Sequence, residues 1–448
     1  MIFYLNPMNK VSCPHSSYWI VIWISFLSYS CQSHKIVQLN ENSSWCWFQD
    51  DRAIMDGDKL VYTGVTSGGA NTVSSYKLST GQQETFVLHD KDLPPNDHNV
   101  GVLLLRPDQR YLSVYAGHGV DQLMRYRISS LPHDITQWEE EQTFDVGAKV
   151  TYSNVYRLAD TGRTYNFHRG INWNPNYLVS EDNGTTWKYG GKLFSFEGRP
   201  YVRYASDQQS RIHFISTEQH PRHYNNGIYH GYIENDQVFR SDATLAGPLS
   251  TTSDSELTPE SFTTVFEGGK NIRADVAWTS DIQLDEKGYP YIAFSVTKDP
   301  LALGETKNTQ EGGFDHRYHY ARWDGKQWND YEIAYAGTRL YPGENEYTGL
   351  IALHPKDPDV VYISTDVHPK TAKPLISDGQ QRREIFRGTT NDSGASWQWK
   401  AITKNSDQDN IRPIVLVHDN REVVIWLKGR YTTYKDYDMK VMGWVPKK

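Results

Sequence analysis

An eight-residue pattern that occurs twice restricts the fold of this chain more than any other feature. Residues 180–187 read Ser-Glu-Asp-Asn-Gly-Thr-Thr-Trp and match S-x-D-x-G-x-x-W at each named position, and residues 390–397 match it with Thr for Ser. In such a hairpin turn the Asp side chain accepts hydrogen bonds from backbone amides, the Gly takes a positive φ and the Trp packs underneath. This pattern, an Asp-box, predicts structural turns rather than catalytic residues.

The spacing of the two boxes indicates a repeated unit. Asp182 and Asp392 are 210 residues apart, which would hold about four units of roughly fifty residues. A degenerate third copy reads Trp-Asp-Gly-Lys-Gln-Trp at residues 323–328. Short apolar segments between Gly, Asp, Asn and Pro turns fill the rest of the chain, which is typical of all-β proteins. We predict a seven-bladed β-propeller of four-stranded antiparallel blades, closed by pairing residues 35–40 with the strand around 441–444.

Composition supports this prediction and excludes one class of partner. The chain has 448 residues with 30 Tyr and 14 Trp, which favour strands, and no long segment shows an apolar period of 3.6 residues. The net charge is −8, so the chain lacks the basic excess that nucleic-acid binding needs. An anionic polysaccharide is not excluded, because a local cluster of Arg and His decides that binding.

The amino-terminal segment resembles a targeting signal. Residues 18–29 form an apolar run too short to span a bilayer, which predicts a signal peptide at residues 1–31. Ser30-Cys31 resembles a bacterial lipoprotein processing site, so two interpretations stay open: a lipid anchor at Cys31, or ordinary cleavage nearby. Residues 32–448 would then form a single propeller domain that is secreted or held at the outer membrane or cell surface. Cys46 would be its only cysteine, which excludes an internal disulfide and a multi-cysteine zinc site.

Polar residues cluster at the ends of several predicted strands. His98 precedes one strand and His118 follows the next, so both would lie on the same face of one blade. Tyr152 and Arg169 lie in the strands that follow. A single such histidine is more often structural, Arg169 could instead pair with a carboxylate, and Tyr152 could simply pack. Because strand ends meet at the propeller axis, their joint occurrence favours a site.

A metal site is a weaker possibility. His220, His223 and His230 lie close in sequence, as do His316 and His319, but neither group has a tight ligand spacing. We expect no catalytic metal or cofactor, while a structural ion stays possible.

Taken together, several segments resemble the Asp-box (BNR-repeat-like) propeller polysaccharide lyases, especially the short ulvan lyases of marine bacteria, which are related to the rhamnose–glucuronate lyases. The likeness begins near residue 43 and includes residues 45–50, 97–99, 117–118, 152–154, 168–170, 174–177, 199–203 and 219–222. The resemblance implies four catalytic residues: His98, His118, Tyr152 and Arg169. It also implies four substrate-binding residues: Asn99, Arg203, His220 and Arg222. Tyr156 and Tyr165 are substitutes for Tyr152, since the spacing before Tyr152 is shorter than in the family.

The implied reaction is β-elimination at a glucuronate or iduronate in a sulfated, rhamnose-containing polysaccharide such as ulvan. Arg169, with His118 as a second donor, would neutralise the carboxylate so that the C5 proton can leave. His98 and Tyr152 would act as base and acid, with the pKa of Tyr152 lowered by Arg169. In glucuronate the C5 proton and the C4 oxygen lie on the same side, so one group could serve both steps, whereas iduronate needs two.

Two other functions remain open from the sequence. One is a propeller glycoside hydrolase of sialidase or rhamnosidase type, which would produce saturated ends. The other is a non-catalytic surface lipoprotein that binds glycans. The sugar, the mode of attack along the chain and the oligomeric state cannot be read from these residues.

Overall fold

The computed structural model describes residues 33–269, 274–304 and 311–447. Residues from His34 onward belong to one compact unit. The predicted signal peptide, with Cys31, lies outside the described residues. No helix in the described part of the chain has the length and apolar character needed to cross a membrane.

The described residues contain 32 strands and three short 3-10 helices, so the all-β prediction is confirmed. The helices are Asp97–Asn99, Ile171–Trp173 and Pro259–Ser261. The first thirteen strands are β1 (His34–Asn40), β2 (Ala53–Asp56), β3 (Lys59–Val65), β4 (Asn71–Lys77), β5 (Gln83–His89), β6 (Val102–Leu105), β7 (Tyr111–Ala116), β8 (Leu123–Ile128), β9 (Gln142–Asp145), β10 (Thr151–Arg157), β11 (Thr164–Arg169), β12 (Pro175–Ser180) and β13 (Lys188–Lys192).

The remaining strands continue in the same antiparallel manner. The next ten are β14 (Val202–Ser206), β15 (Arg211–Ser216), β16 (Ile228–Glu234), β17 (Gln237–Arg240), β18 (Leu245–Pro248), β19 (Thr263–Phe266), β20 (Val276–Leu284), β21 (Pro290–Thr297), β22 (His316–Trp323) and β23 (Trp328–Gly337). The last nine are β24 (Ile351–Leu353), β25 (Val360–Thr365), β26 (Ile376–Ser377), β27 (Gln380–Gln381), β28 (Glu384–Thr389), β29 (Gln398–Ala401), β30 (Asp409–His418), β31 (Arg421–Thr433) and β32 (Asp436–Pro446).

These strands form seven blades, which confirms the predicted propeller. Blades one, two, three and five are the consecutive sets β2–β5, β6–β9, β10–β13 and β20–β23. Blade four contains β14–β17 and gains β18 beyond β17 and β19 against β16. Blade six contains β24, β25, β28 and β29, with the ribbon β26–β27 inserted, and blade seven contains β30, β31, β32 and β1.

The ring closes where the sequence predicts. β1 pairs with β32, with Lys35 opposite Val445 and Ile36 opposite Trp444. The amino-terminal strand therefore completes the carboxy-terminal blade. This pairing covers an edge of β32 that would otherwise be open to another chain.

The two Asp-boxes form the predicted turns. Asp182 accepts hydrogen bonds from the backbone amide of Thr186 at 2.8 Å and from its hydroxyl at 2.7 Å, and Asp392 bonds Ser396 in the same way. Gly184 has a φ of 86°, and a Cβ at this position would lie 2.4 Å from the Leu112 side chain. The turn thus tolerates only glycine there.

We expect Asp182→Ala to lower the free energy of unfolding by about 1–2 kcal/mol, because both amide and hydroxyl donors of the turn lose their acceptor. Chemical denaturation measures this change. The matched control is Glu181→Ala, which removes only an exposed ion pair with Lys188 and should change stability by less than about 0.5 kcal/mol. Equal losses in the two variants would contradict the role of Asp182.

The first strand of each blade lies at the central channel, and the segment 45–50 crosses it. Trp45 donates to the carbonyl of Arg412 in blade seven, Trp47 donates to that of Thr279 in blade five, and the Phe48 carbonyl accepts from blade three. The crossing separates two ends of the channel. We call the end at which the first strand of each blade begins the first mouth, and the end at which these strands finish the second mouth.

Candidate functional site

His98 and His118 meet at the first mouth through two turns of blade two. The Asn96 side chain caps the 3-10 helix by accepting from the backbone amide of His98 at 3.0 Å. The Asn99 side chain accepts from the backbone amide of His118 at 2.8 Å. The two imidazole rings therefore stack, with centroids 4.4 Å apart and planes 15° apart.

Tyr152 reaches the same place from the start of β10, where the backbone is strained. The register of β10 against β11 shifts between Thr151 and Asn154, and Tyr152 has a φ of 70°, which is unfavourable for a bulky residue. Such bulges redirect side chains, and strain of this kind concentrates at functional sites. The Tyr152 ring lies 6.0 Å from that of His118. Its hydroxyl is buried and has no hydrogen-bond partner among the described residues.

Arg169 completes a group of four side chains, which we call the His–Tyr–Arg group. It pairs with Thr151 across β11 and β10, so the strand pairing places it beside Tyr152. Its guanidinium carbon lies 4.9 Å from the Tyr152 ring and 4.2 Å from that of Tyr201, and it donates to the carbonyl of Pro200 at 3.1 Å. Within the described residues Arg169 has no carboxylate partner. The ion pair that the sequence left open as an alternative is therefore not formed there.

Behind His98 lies an anchor that no sequence pattern indicated. The His98 Nδ1 atom lies 2.6 Å from the carboxylate of Asp97. The other oxygen of that carboxylate accepts from the Tyr431 hydroxyl at 2.5 Å and pairs with the guanidinium of Arg412. Asp97 and Arg412 are both fully buried. Asp97 therefore holds the imidazole of His98 in a fixed orientation, and Arg412 holds Asp97.

These contacts set different protonation states for the two histidines. Burial lowers the pKa of His98, but the neighbouring Cys46 and Asp97 side chains outweigh it and raise that pKa to about 10. Burial holds the pKa of His118 well below its usual value, and the charges of His98 and Arg169 lower it further. At neutral pH His98 is therefore protonated and His118 is neutral.

The expected lowering of the Tyr152 pKa is wrong. Burial raises the pKa of Tyr152 well above its ordinary value, and the opposing charge of Arg169 only reduces this shift. The resting side chain is a neutral phenol.

The tautomer of His118 follows from the side-chain amide of Asn96. The Asn96 side-chain oxygen already accepts from the backbone N–H of His98, so the side-chain nitrogen of Asn96 faces His118 Nδ1, at 3.2 Å. An amide nitrogen donates, so Nδ1 accepts and the ring proton is on Nε2. This tautomer presents Nε2–H as a donor, while donation from His118 to a ligand stays a prediction.

His220 and Arg222, which the sequence predicts to bind substrate, form a second group on the same face. Both contact the Glu344 carboxylate, with Arg222 at 2.6 Å and His220 at 3.4 Å. The Tyr201 ring connects this group to Arg169, since it lies 5.6 Å from the His220 ring. The charge of Arg222 is thus balanced within the protein, and its contact with substrate stays a prediction.

Two other predicted binding residues are placed differently. Asn99 is fully buried, and its side chain bonds the His118 backbone and the Pro94 carbonyl, so the geometry favours a positioning role. Arg203 pairs with Asp50 at 2.6 Å and lines a cavity of about 810 Å³ at the second mouth. The structure does not bring Arg203 to the His–Tyr–Arg group.

The cavity at the second mouth is large, but none of the His–Tyr–Arg side chains lines it. We place the candidate site at the first mouth because chemistry, rather than volume, distinguishes the two ends. The alternative tyrosines are also elsewhere: the Tyr156 hydroxyl donates to the Tyr204 carbonyl, and Tyr165 packs in the core of blades three and four.

One set of metal-ligand types occurs in the described part of the chain. Ligand atoms of Cys46, Asp97 and His98 lie within 4.8 Å of one another, and these donor types suit zinc. The Arg412 guanidinium already contacts Asp97, so its charge opposes a divalent ion there. The two histidine groups of the sequence do not assemble into such a set within the described residues, and a structural ion stays a prediction.

Comparison with known proteins identifies the family. The BNR repeat-containing family model matches residues 61–336. The chain belongs to the BNR repeat-containing family. This confirms the resemblance to BNR-repeat-like propellers that the sequence motifs indicated. No curated protein matches the chain.

Solved structures share the propeller fold. A PL25 ulvan lyase bound to -[GlcA(1-4)Rha3S]- is 16% identical, with a TM-score of 0.66 over 92% of this chain and 96% of its own. The polysaccharide lyase Uly1 is 11% identical, with a TM-score of 0.57 over 93% and 99%. The BP39L lectin from Burkholderia pseudomallei is 10% identical, with a TM-score of 0.50 over 93% and 96%. At these identities the likeness concerns the fold.

Proposed function

We propose that this protein is a polysaccharide lyase, a carbon–oxygen lyase that cleaves the bond at C4 of a uronic acid by β-elimination. The observation that carries the proposal is the convergence of His98, His118, Tyr152 and Arg169 at one mouth of the channel. The fold likeness to two polysaccharide lyases supports it. A sulfated, rhamnose-containing glucuronate or iduronate polymer such as ulvan is the substrate we propose.

The carboxylate of the uronate would bind where a positive charge has no carboxylate partner among the described residues. Arg169 would offer its guanidinium there, and His118 its Nε2–H. As the C5 proton leaves, charge develops on the carboxylate as it becomes enolate-like. Donors placed there in advance lower the barrier, each by about 100- to 1,000-fold in rate.

The proton transfers fall to Tyr152 and His98. The Tyr152 phenol first gives its proton to solvent, and as a phenolate beside the Arg169 guanidinium it takes the proton from C5. The electron pair then forms the C4–C5 double bond, and the bond between C4 and its oxygen breaks. For glucuronate Tyr152 returns the proton to the leaving oxygen, whereas for iduronate the protonated His98 donates from the opposite side. The raised pKa of His98 supports the acid role for this residue rather than the base role; the sequence had left both roles open.

The cellular location follows from the proposed substrate. A polymer of this kind lies outside the cell, so we propose that the protein is secreted or displayed as a lipoprotein through Cys31.

The test is incubation of the full-length protein with ulvan, pectin, alginate and heparin, each followed at the ultraviolet absorbance of the unsaturated uronate. We expect absorbance to rise with ulvan. New reducing ends without absorbance would show a hydrolase instead. Binding to ulvan with no loss of viscosity would show a glycan-binding protein, and either result would overturn the lyase proposal.

A further inference from the structure

Arg199 differs from the other arginines near the first mouth. Its side chain is half-buried, and it has no hydrogen bond or ion pair within the described residues. Arg222 is balanced by Glu344 and Arg412 by Asp97. A partly buried guanidinium without a counter-charge is costly, because it loses hydration and gains no partner.

The backbone places Arg199 between the two groups of the candidate site. The carbonyl of the next residue, Pro200, accepts from Arg169 at 3.1 Å, and the Tyr201 ring lies against Arg169 and His220. On the other side, the Gln219 side chain donates to the carbonyl of Glu197 at 3.2 Å. The segment 197–201 therefore runs from the His–Tyr–Arg group to His220.

The electrostatic effect of Arg199 agrees with this position. Its positive charge lowers the pKa of Tyr152 and also that of His220, although burial is the largest influence on each. Such effects fall with distance and screening, so the guanidinium acts on both groups.

The mouth thus carries more positive charge than one carboxylate can balance. Among the described residues neither Arg169 nor Arg199 has a carboxylate partner, whereas Arg222 and Arg412 are each paired with one. One uronate carboxylate would satisfy Arg169. A second anionic group is needed for Arg199, and polymers with acidic groups on successive sugars provide one at a fixed separation.

We propose that Arg199 binds a second anionic substituent of the substrate, a sulfate ester or a carboxylate on a sugar next to the uronate. This rests on the proposed function and deepens it, because it makes the site specific for a polymer that is anionic on neighbouring sugars.

The test compares Arg199→Gln with the wild type on sulfated ulvan and on the same polymer after chemical desulfation. We expect KM for the sulfated polymer to rise about 10- to 100-fold, as for a lost hydrogen bond to a charged group, with little change in kcat. The matched control is Arg211→Gln, whose exposed guanidinium pairs with Glu234 and which should behave as wild type. If desulfation removes the difference between wild type and Arg199→Gln, the second anion is a sulfate; if the difference persists, it is a carboxylate.

A second measurement needs no turnover. Melting temperatures are recorded in sodium sulfate and in sodium chloride at equal ionic strength. We expect the extra stabilisation by sulfate in the wild type and in Arg211→Gln to be smaller in Arg199→Gln. If the wild type cleaves none of the polymers but this difference appears, the lyase proposal fails and the anion site stands. An unchanged KM together with an unchanged sulfate effect in Arg199→Gln would overturn the proposal.

Discussion

Tyr152→Phe is expected to lower kcat/KM for ulvan at least about 1,000-fold while leaving the protein folded. The substitution removes only the hydroxyl that exchanges the proton, a step that contributes about 100- to 10,000-fold in enzymes. Among the described residues the hydroxyl has no hydrogen-bond partner, so its loss removes no internal bond there and should not lower stability. Product absorbance and thermal unfolding of the same preparation measure the two effects.

Tyr156→Phe is the matched control on the same strand. Its hydroxyl donates to the Tyr204 carbonyl at 3.0 Å, so the change leaves a buried acceptor unpaired and should cost about 1 kcal/mol of stability. Its activity should remain near that of the wild type. An active Tyr152→Phe, or equal losses of activity in both variants, would contradict the role of Tyr152.

The fold could be predicted because its determinants are local. The Asp-box turns depend on contacts within eight residues, as between Asp182 and Thr186, and a repeat of such turns requires stacked blades. Ring closure by β1 followed from the cost of an open strand edge rather than from any motif. The extra strands β18 and β19 and the ribbon β26–β27 were not predicted, since their turn-rich sequences resemble loops.

The candidate site was partly predictable for the same reason. His98 and His118 belong to one hairpin, and Tyr152 and Arg169 belong to neighbouring strands, so short-range pairing brings them together. Arg203 lies away from the site because its guanidinium pairs with Asp50 and lines the cavity at the second mouth, a long-range contact that its own strand does not indicate. The protonation states could not be predicted, because burial decides the pKa of Tyr152 and burial is a property of the assembled ring.

The anchor behind His98 shows what sequence patterns omit. Asp97 and Arg412 are 315 residues apart in the sequence. They meet because Asp97 lies just before the first strand of blade two and Arg412 lies in the first strand of blade seven, and both strands border the central channel. Arg412 has a φ of 55°, an uncommon conformation that no local sequence signal indicates. Asp97 directly precedes His98, and that adjacency was the one available hint.

Arg412→Leu tests this anchor and is expected to lower the free energy of unfolding at pH 7 by about 3–5 kcal/mol, because it leaves the Asp97 carboxylate buried with less compensation. The pKa of Asp97 in the folded protein lies below its ordinary value, as the charges of Arg412 and His98 outweigh burial. A lowered carboxyl pKa contributes stability above the unfolded value, about 3.9, that is lost as the pH falls through the folded value. The difference between wild type and variant should therefore narrow on acidification, as denaturation at a series of pH values will show.

The double variant Asp97→Asn with Arg412→Leu separates the charge from the packing. If the unpaired carboxylate causes the loss, removing it should recover part of the stability at pH 7, and the pH dependence of the difference should disappear. If packing of the long Arg412 side chain causes the loss, the double variant should be no more stable than Arg412→Leu, and the penalty should not change with pH. That second pattern would show that Arg412 supports the site by its volume rather than by its charge.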